Sequence, residues 1–183
     1  MLLILLTGLS GAGKSTIANK TRKRLSRNGF AAEVVDSDKY RKTICKDLGF
    51  SPDDRKENIR RVGKIAHMFL EHKRVVLLAA INPYEESRKE LKTYDHDVKT
   101  VWIDCDLAVL EKRDTKGLYR KARLPDDHPE KIHNLTGINA PYEIPILPDL
   151  IIQTDKETEN ESVEKLMAFI LKEINKPEAK TQT

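Results

Sequence analysis

The chain has 183 residues, 39% hydrophobic and 34% charged, with a net charge of +4 and five histidines. That size and balance suit one globular domain with a sizeable core. No run approaches the roughly 20 apolar residues of a membrane span, and the charge is too mild to argue for nucleic acid.

The first residues, "MLLILLTG", lack a basic leader and run directly into a glycine-rich loop. They predict a first β-strand over Leu2–Leu6 rather than a signal peptide. The loop "GLSGAGKST", Gly8 to Thr16, fits G-x-x-x-x-G-K-[ST] at every fixed position and opens a helix predicted over Lys14–Arg27. A strand before and a helix after are the context this phosphate-binding motif requires. Its backbone N–H groups, from Gly8, Leu9, Ser10, Gly11, Ala12 and Gly13 onward, turn inward to cradle phosphate oxygens. The helix N-terminus adds partial positive charge. Lys14 is expected to reach the β- and γ-phosphates of ATP, and Ser15 to hold Mg2+, with Thr16 beside it.

A second strand, Ala32–Val35, ends in "EVVDSDKYR". Asp36 and Asp38 thus stand at the carboxyl end of a strand, where ligands bind in open α/β sheets. Either carboxylate could accept the proton of an acceptor hydroxyl or serve magnesium; either could instead cap the next helix. That helix region reads "LGFSPDDRKENIRR", with Ser51 as cap, Pro52 in the first turn, and a helix over Asp53–Glu71. Arg55 and Asn58 are three apart and share a face. An arginine fork suits phosphate or sulfate oxygens, and Phe50 could stack on a base or pack as a staple.

A third strand is predicted over Val75–Ile81, followed by Asn82, Pro83 and a helix over Tyr84–Leu91. A fourth strand, Val98–Ile103, leads to Cys105 and a helix over Leu107–Arg113. The two cysteines, Cys45 and Cys105, have no metal-like spacing, which suits a reducing compartment and hence the cytoplasm. From Thr115 to Pro148 the chain is rich in proline and charge with little periodicity; so long a loop is usually functional. The basic cluster from Lys116 to Arg123 lies in it. The last strand and helix are Leu150–Gln153 and Thr158–Asn175, leaving one domain over residues 1–176 and a polar tail over 177–183. Near-continuous apolar strands alternating with helices predict an α/β fold, a five-stranded parallel sheet flanked by helices.

A nucleotide-phosphate site permits a small-molecule kinase, a GTPase switch or an ATPase motor. A guanine-reading N-K-x-D after a late strand is missing: Asn175-Lys176 lies past the last helix and precedes Pro177. A motor usually ends its third strand in an acid, where this chain has Asn82. A small-molecule kinase remains.

Taken together, "GLSGAGKST", "DSDKYR", "LGFSPDDRKENIRRVGKIA", "INPYEESR", "EKRDTKGLYRKAR" and "LTGINAPYEIP" resemble the adenylylsulfate (APS) kinase family. The resemblance implies a P-loop kinase fold, a homodimer, and a role in sulfate assimilation. The implied reaction transfers the ATP γ-phosphoryl group to the ribose 3′-hydroxyl of APS, giving PAPS and ADP, with Mg2+. By resemblance Lys14, Asp36 and Asp38 are catalytic, with Asp38 the proton acceptor and Asp36 linked to the metal beside Ser15. Asp38, Arg41, Phe50, Arg55, Asn58, Ile81, Asn82, Lys116, Leu135 and Thr136 would bind the acceptor, and Arg113 the ATP base. Residues 115–148 would be a mobile lid, with Lys116 and Arg123 neutralising charge.

Departures from the family pattern gather on the acceptor side. Ser37 stands for a glycine, Lys39 for an asparagine, Asn82 for a serine often phosphorylated, Leu135 for a phenylalanine and Asn139 for an aspartate. They admit an alternative: a relative that phosphorylates another nucleotide-linked acceptor, such as cytidine diphosphoramidate. A non-catalytic ATP-binding regulator is a further, weaker alternative.

Overall fold

The computed structural model describes residues 1–73, 75–94 and 97–176; the predicted tail at 177–183 lies outside the described residues. Five parallel strands form one sheet: β1 (Leu2–Thr7), β2 (Ala32–Asp36), β3 (Val75–Ala79), β4 (Val98–Asp104) and β5 (Leu150–Gln153), in the order β2-β3-β1-β4-β5. β1 is central, and all six of its residues are buried. Side chains alternate across a strand, so Leu2, Ile4 and Leu6 enter one core while Leu3 and Leu5 enter another. The first core is closed by α1 (Lys14–Arg27) and α7 (Glu159–Ile174), the second by α3 (Pro52–Leu70) and α4 (Glu85–Tyr94). Shorter helices α2 (Ser37–Tyr40), α5 (Leu107–Arg113) and α6 (Leu118–Ala122) lie at the carboxyl ends of the strands.

The helix starts follow local chemistry. Ser51 caps α3 in a capping box with Asp54, and Thr158 caps α7 in another with Glu161; each satisfies orphan backbone donors of the first turn and is worth about 1 kcal/mol. The expected strand over Val75–Ile81 stops two residues early. Ala80 still donates its N–H to Leu6 O at 3.1 Å, but the chain then turns at Asn82, whose φ is 41°, into Pro83. The long segment after Thr115 contains α6, and Tyr119, Ala122 and Leu135 of this segment are buried in the first core.

Candidate functional site

The phosphate loop bridges β1 and α1. At its first residue the backbone runs so close to β4 that a Cβ on Gly8 would stand 2.3 Å from Ile103 O, so a side chain has no room there. Lys14 Nζ donates to Gly8 O at 2.9 Å and Leu9 O at 2.7 Å, folding the lysine back over its own loop. Burial lowers its pKa to about 8; Asp38 and Asp36 oppose that shift, while Lys116 adds to it. Outside groups hold the loop as well: Tyr119 Oη donates to Ser10 O at 2.8 Å, and Thr154 Oγ1 donates to Ala12 O at 3.0 Å.

A cavity of about 250 Å³ opens over the loop. Ser10, Gly11, Gly13, Lys14, Ser15 and Thr16 line it on one side; Asp36, Asp38, Ile81 and Lys116 line it on the other. Gly8, Leu9 and Ala12 do not line it and contribute through the backbone behind it. A neighbouring cavity of about 270 Å³ shares Gly13 and Thr16 and is walled by Arg113, Thr154 and Glu157. Arg113 is fixed there by donating to Thr154 O at 2.9 Å. The sequence reading missed Thr154 and Glu157; the one signal for them is their place just past the carboxyl end of β5, where open sheets bind ligands.

The two aspartates separate in role. Asp36 is the N-cap of α2: its Oδ1 accepts from the Asp38 N–H at 3.0 Å. Asp38 points outward and its Oδ2 accepts from Lys116 Nζ at 2.5 Å. Burial works to raise the Asp38 pKa, but the Lys116 ammonium, with Lys14 and Arg41 behind it, outweighs this and holds the carboxyl below its ordinary range. Ser15 and Asp36 present hard oxygen donors to one cavity. Among the described residues no group of three or more His, Cys, Asp or Glu side chains could cage a metal. Magnesium needs no such cage, since it is held by one or two carboxylates together with substrate phosphates and water. The donors present therefore fit it.

A larger cavity, about 610 Å³, adjoins the first and shares Ser10, Asp38, Ile81 and Lys116 with it. Phe50 and Leu135 contribute its apolar surface. Phe50 is half-exposed and has two guanidinium groups near its ring, Arg41 at 4.5 Å and Arg55 at 5.5 Å from its centre. Arg41 also donates to Gly49 O at 2.9 Å. Arg55 reaches across the cavity: Nε donates to Phe50 O at 2.9 Å, Nη1 to Thr136 Oγ1 at 2.8 Å and Nη2 to Asn134 O at 2.5 Å. It ties the start of α3 to the loop carrying Leu135 and Thr136.

Two expected acceptor residues, Asn58 and Asn82, do not line this cavity. Asn58 is buried and donates Nδ2 to Ser37 Oγ at 2.7 Å. Asn82 is buried with neither side-chain polar atom partnered; its backbone carbonyl accepts from Arg88 Nη1 at 2.8 Å. Arg123 turns away from the phosphate loop to Glu111, at 2.6 Å. Asn139 staples the loop, accepting from Leu135 N at 2.6 Å and donating to Ile132 O at 2.6 Å. Another cavity, about 670 Å³, lies between β4 and residues 137–144 and contains neither Lys14, Asp36 nor Asp38. Size alone does not mark the site; the meeting of phosphate loop, carboxylates and cations does.

The adenylylsulphate kinase family model matches residues 1–153. The adenylyl-sulfate kinase of Bacillus pumilus (strain SAFR-032) is 44% identical over 170 residues, 92% of this chain and 84% of that protein. That of Gloeothece citriformis (strain PCC 7424) is 44% identical over 164 residues, covering 90% of each. Among solved structures, the Mycobacterium tuberculosis APS kinase CysC in complex with AMPPNP and APS superposes with a TM-score of 0.86 at 36% identity, covering 93% of this chain and 97% of that one. With a matched family model over most of its length and such relatives along nearly its whole span, the chain belongs to the adenylylsulfate kinase family.

Proposed function

We propose that this chain, as one catalytic domain over residues 1–176, transfers the γ-phosphoryl group of ATP to the ribose 3′-hydroxyl of APS, giving PAPS and ADP. The observation that carries the reading is the junction of the two cavities at Asp38 and Lys116. A donor phosphate on the loop and an acceptor hydroxyl in the larger cavity would meet there, between the one carboxylate and the one ammonium that line both cavities. The volume of about 610 Å³ is in the range of small-molecule sites and accommodates a nucleotide-sized acceptor.

The chemistry follows from the groups at that junction. The bond between the γ-phosphorus and its bridging oxygen breaks as the 3′-oxygen bonds to phosphorus, and the hydroxyl proton passes to Asp38. Phosphoryl transfer is largely dissociative, so the hydroxyl needs orienting more than early deprotonation. A carboxylate held below its ordinary pKa by Lys116 suits that role. Lys14 and Lys116, which line the phosphate cavity together, offer positive charge to the moving group. Ser15 and Asp36 would hold Mg2+, which neutralises phosphate charge. An asparagine at position 82 cannot form a phosphoserine, so transfer is direct. Arg41 and Arg55 face the acceptor's anionic groups, and Phe50 offers its ring to the base. The chain acts in the cytoplasm as a homodimer: Ile144, Ile146 and Leu147 form an exposed apolar stretch available to a second copy, and its two cysteines are unpaired.

The test is a coupled ADP-release assay with ATP, Mg2+ and APS, with PAPS identified by chromatography. The expected result is one PAPS per ADP and no ADP release without acceptor. ATP hydrolysis independent of APS, or turnover of cytidine diphosphoramidate but not APS, overturns the reading.

A further inference from the structure

The helix that carries Asp38 is only four residues long, Ser37–Tyr40. A single turn is not stable by itself, since forming it fixes several dihedrals for one hydrogen bond. Something outside α2 must hold it if Asp38 is to stand at a fixed place between the two cavities. The Asp36 carboxylate caps it from within. Beside the exposed Lys116–Asp38 pair and the packing of Tyr40 on the second core, the buried external hold is the contact between Ser37 and Asn58: Asn58 Nδ2, from the second turn of α3, donates to Ser37 Oγ at 2.7 Å, and both side chains are buried. α3 is a 19-residue helix with a capping box, packed on β3 and α4, so it supplies a rigid abutment.

The polar bookkeeping around Asn58 points the same way. Its Oδ1 is buried without a partner, and an unsatisfied buried carbonyl is costly. The contact the Asn58 amide makes with the protein is the bond from its nitrogen to Ser37.

We propose that Ser37 is a positioning residue: through its buried hydrogen bond to Asn58 it braces α2 against α3 and so sets the place of the Asp38 carboxylate. The inference rests on the role given to Asp38 above. It assigns Asn58 to holding the catalytic helix, with its amide nitrogen already engaged. The brace acts on the reacting carboxylate; Lys14, Ser15 and Thr16, which meet the ATP phosphates, are carried by α1.

The experiment is a set of variants, Ser37→Ala, Asn58→Ala, Asp38→Asn and the pairs Ser37→Ala/Asn58→Ala and Ser37→Ala/Asp38→Asn. Each is assayed for kcat and for the KM of ATP and APS, with folding checked by thermal melting. Ser37→Ala is expected to lower kcat by about tenfold, as a shift in reacting geometry does, with the KM for ATP within about twofold of wild type. The loss is expected to be no larger in the pair with Asn58→Ala, and to vanish in the pair with Asp38→Asn, where there is no carboxylate left to place. Ser37→Thr, which keeps the hydroxyl, is expected to restore at least half of kcat. Additive losses in either pair, or wild-type kcat in Ser37→Ala, overturn the brace. Unchanged kcat in Asp38→Asn alone refutes the role of Asp38, and the brace with it. If wild type turns over another nucleotide-linked acceptor in place of APS, the proposed acceptor fails while the same cycle, run on that acceptor, still decides the brace.

Discussion

Arg55→Lys is the perturbation that most directly probes the acceptor cavity. The guanidinium makes three hydrogen bonds, to Phe50 O, Thr136 Oγ1 and Asn134 O, at 2.9, 2.8 and 2.5 Å, and lies 5.5 Å from the Phe50 ring centre. A lysine ammonium at the end of a straight stem can replace one of these bonds but not a fork of three. Losing two, at about 1 kcal/mol each net, with about 0.5 kcal/mol from the ring contact, gives about 2–3 kcal/mol. That corresponds to about 30- to 150-fold in kcat/KM for the acceptor. The KM for ATP should stay within about twofold, since no atom of Arg55 contacts the phosphate loop in any bond described here. The assay pairs initial rates on APS with competitive inhibition by adenosine, which lacks the phosphosulfate. If Arg55 acts by tying the two cavity walls together, both ligands weaken by a similar factor. If adenosine binds the variant as tightly as wild type while APS is lost, the clamp reasoning is wrong and Arg55 is simply an anion ligand.

Further outcomes follow from other features of the site. Because Lys14 in the ligand-free protein has a pKa lowered to about 8 by burial, its cation is complete below that pH and lost above it. kcat/KM for ATP should fall as pH rises through about 8, and a flat profile to pH 9.5 would contradict it. kcat at saturating ATP should show a weaker fall, since bound phosphates favour the ammonium. Tyr119→Phe removes the bond to Ser10 O and leaves a buried carbonyl short of a partner; ATP should bind about fivefold more weakly with the melting temperature lowered by a few degrees, and unchanged ATP affinity would show that the phosphate loop needs no support from α6. Thr158→Ala deletes the cap of α7 and should cost about 1 kcal/mol in denaturant unfolding, roughly 2–4 °C in melting temperature, with wild-type kinetics.

How much of this was legible beforehand depends on the range of the interactions involved. Lys14–Arg27 and Leu107–Arg113 match the predicted helices at both ends, because their boundaries are written locally in the glycine loop and in Asp106, which caps α5. β3 was read two residues too long because Ala80 and Ile81 are apolar; what ends the strand is the turn at Asn82. α6 escaped notice because five residues within a charged, proline-rich stretch carry no usable period. The phosphate loop was fully visible as a motif. Asp36 and Asp38 were visible as a pair, but which one caps and which one faces the acceptor is decided by the turn of α2. Arg55 and Asn58, three apart, were expected to serve one ligand together. The fold sends one across the cavity to residue 136 and the other back to residue 37, partners 81 and 21 positions away in the chain, which no local pattern encodes.

The sheet has consequences for how such an enzyme can change. One core lies behind the phosphate loop, α1 and α7; the other lies behind the segment from Tyr40 through α3 that carries Phe50 and Arg55. The central strand feeds alternate side chains to each, and Arg55 links the α3 side to the loop that carries Leu135. A methyl group gained or lost among Cys45, Val62 and Ala66 acts within the second core, beneath α3. The sheet therefore works as a bulkhead. A change in the second core is felt first at α3, whereas the phosphate loop and the Leu135 wall of the acceptor cavity rest together on the first.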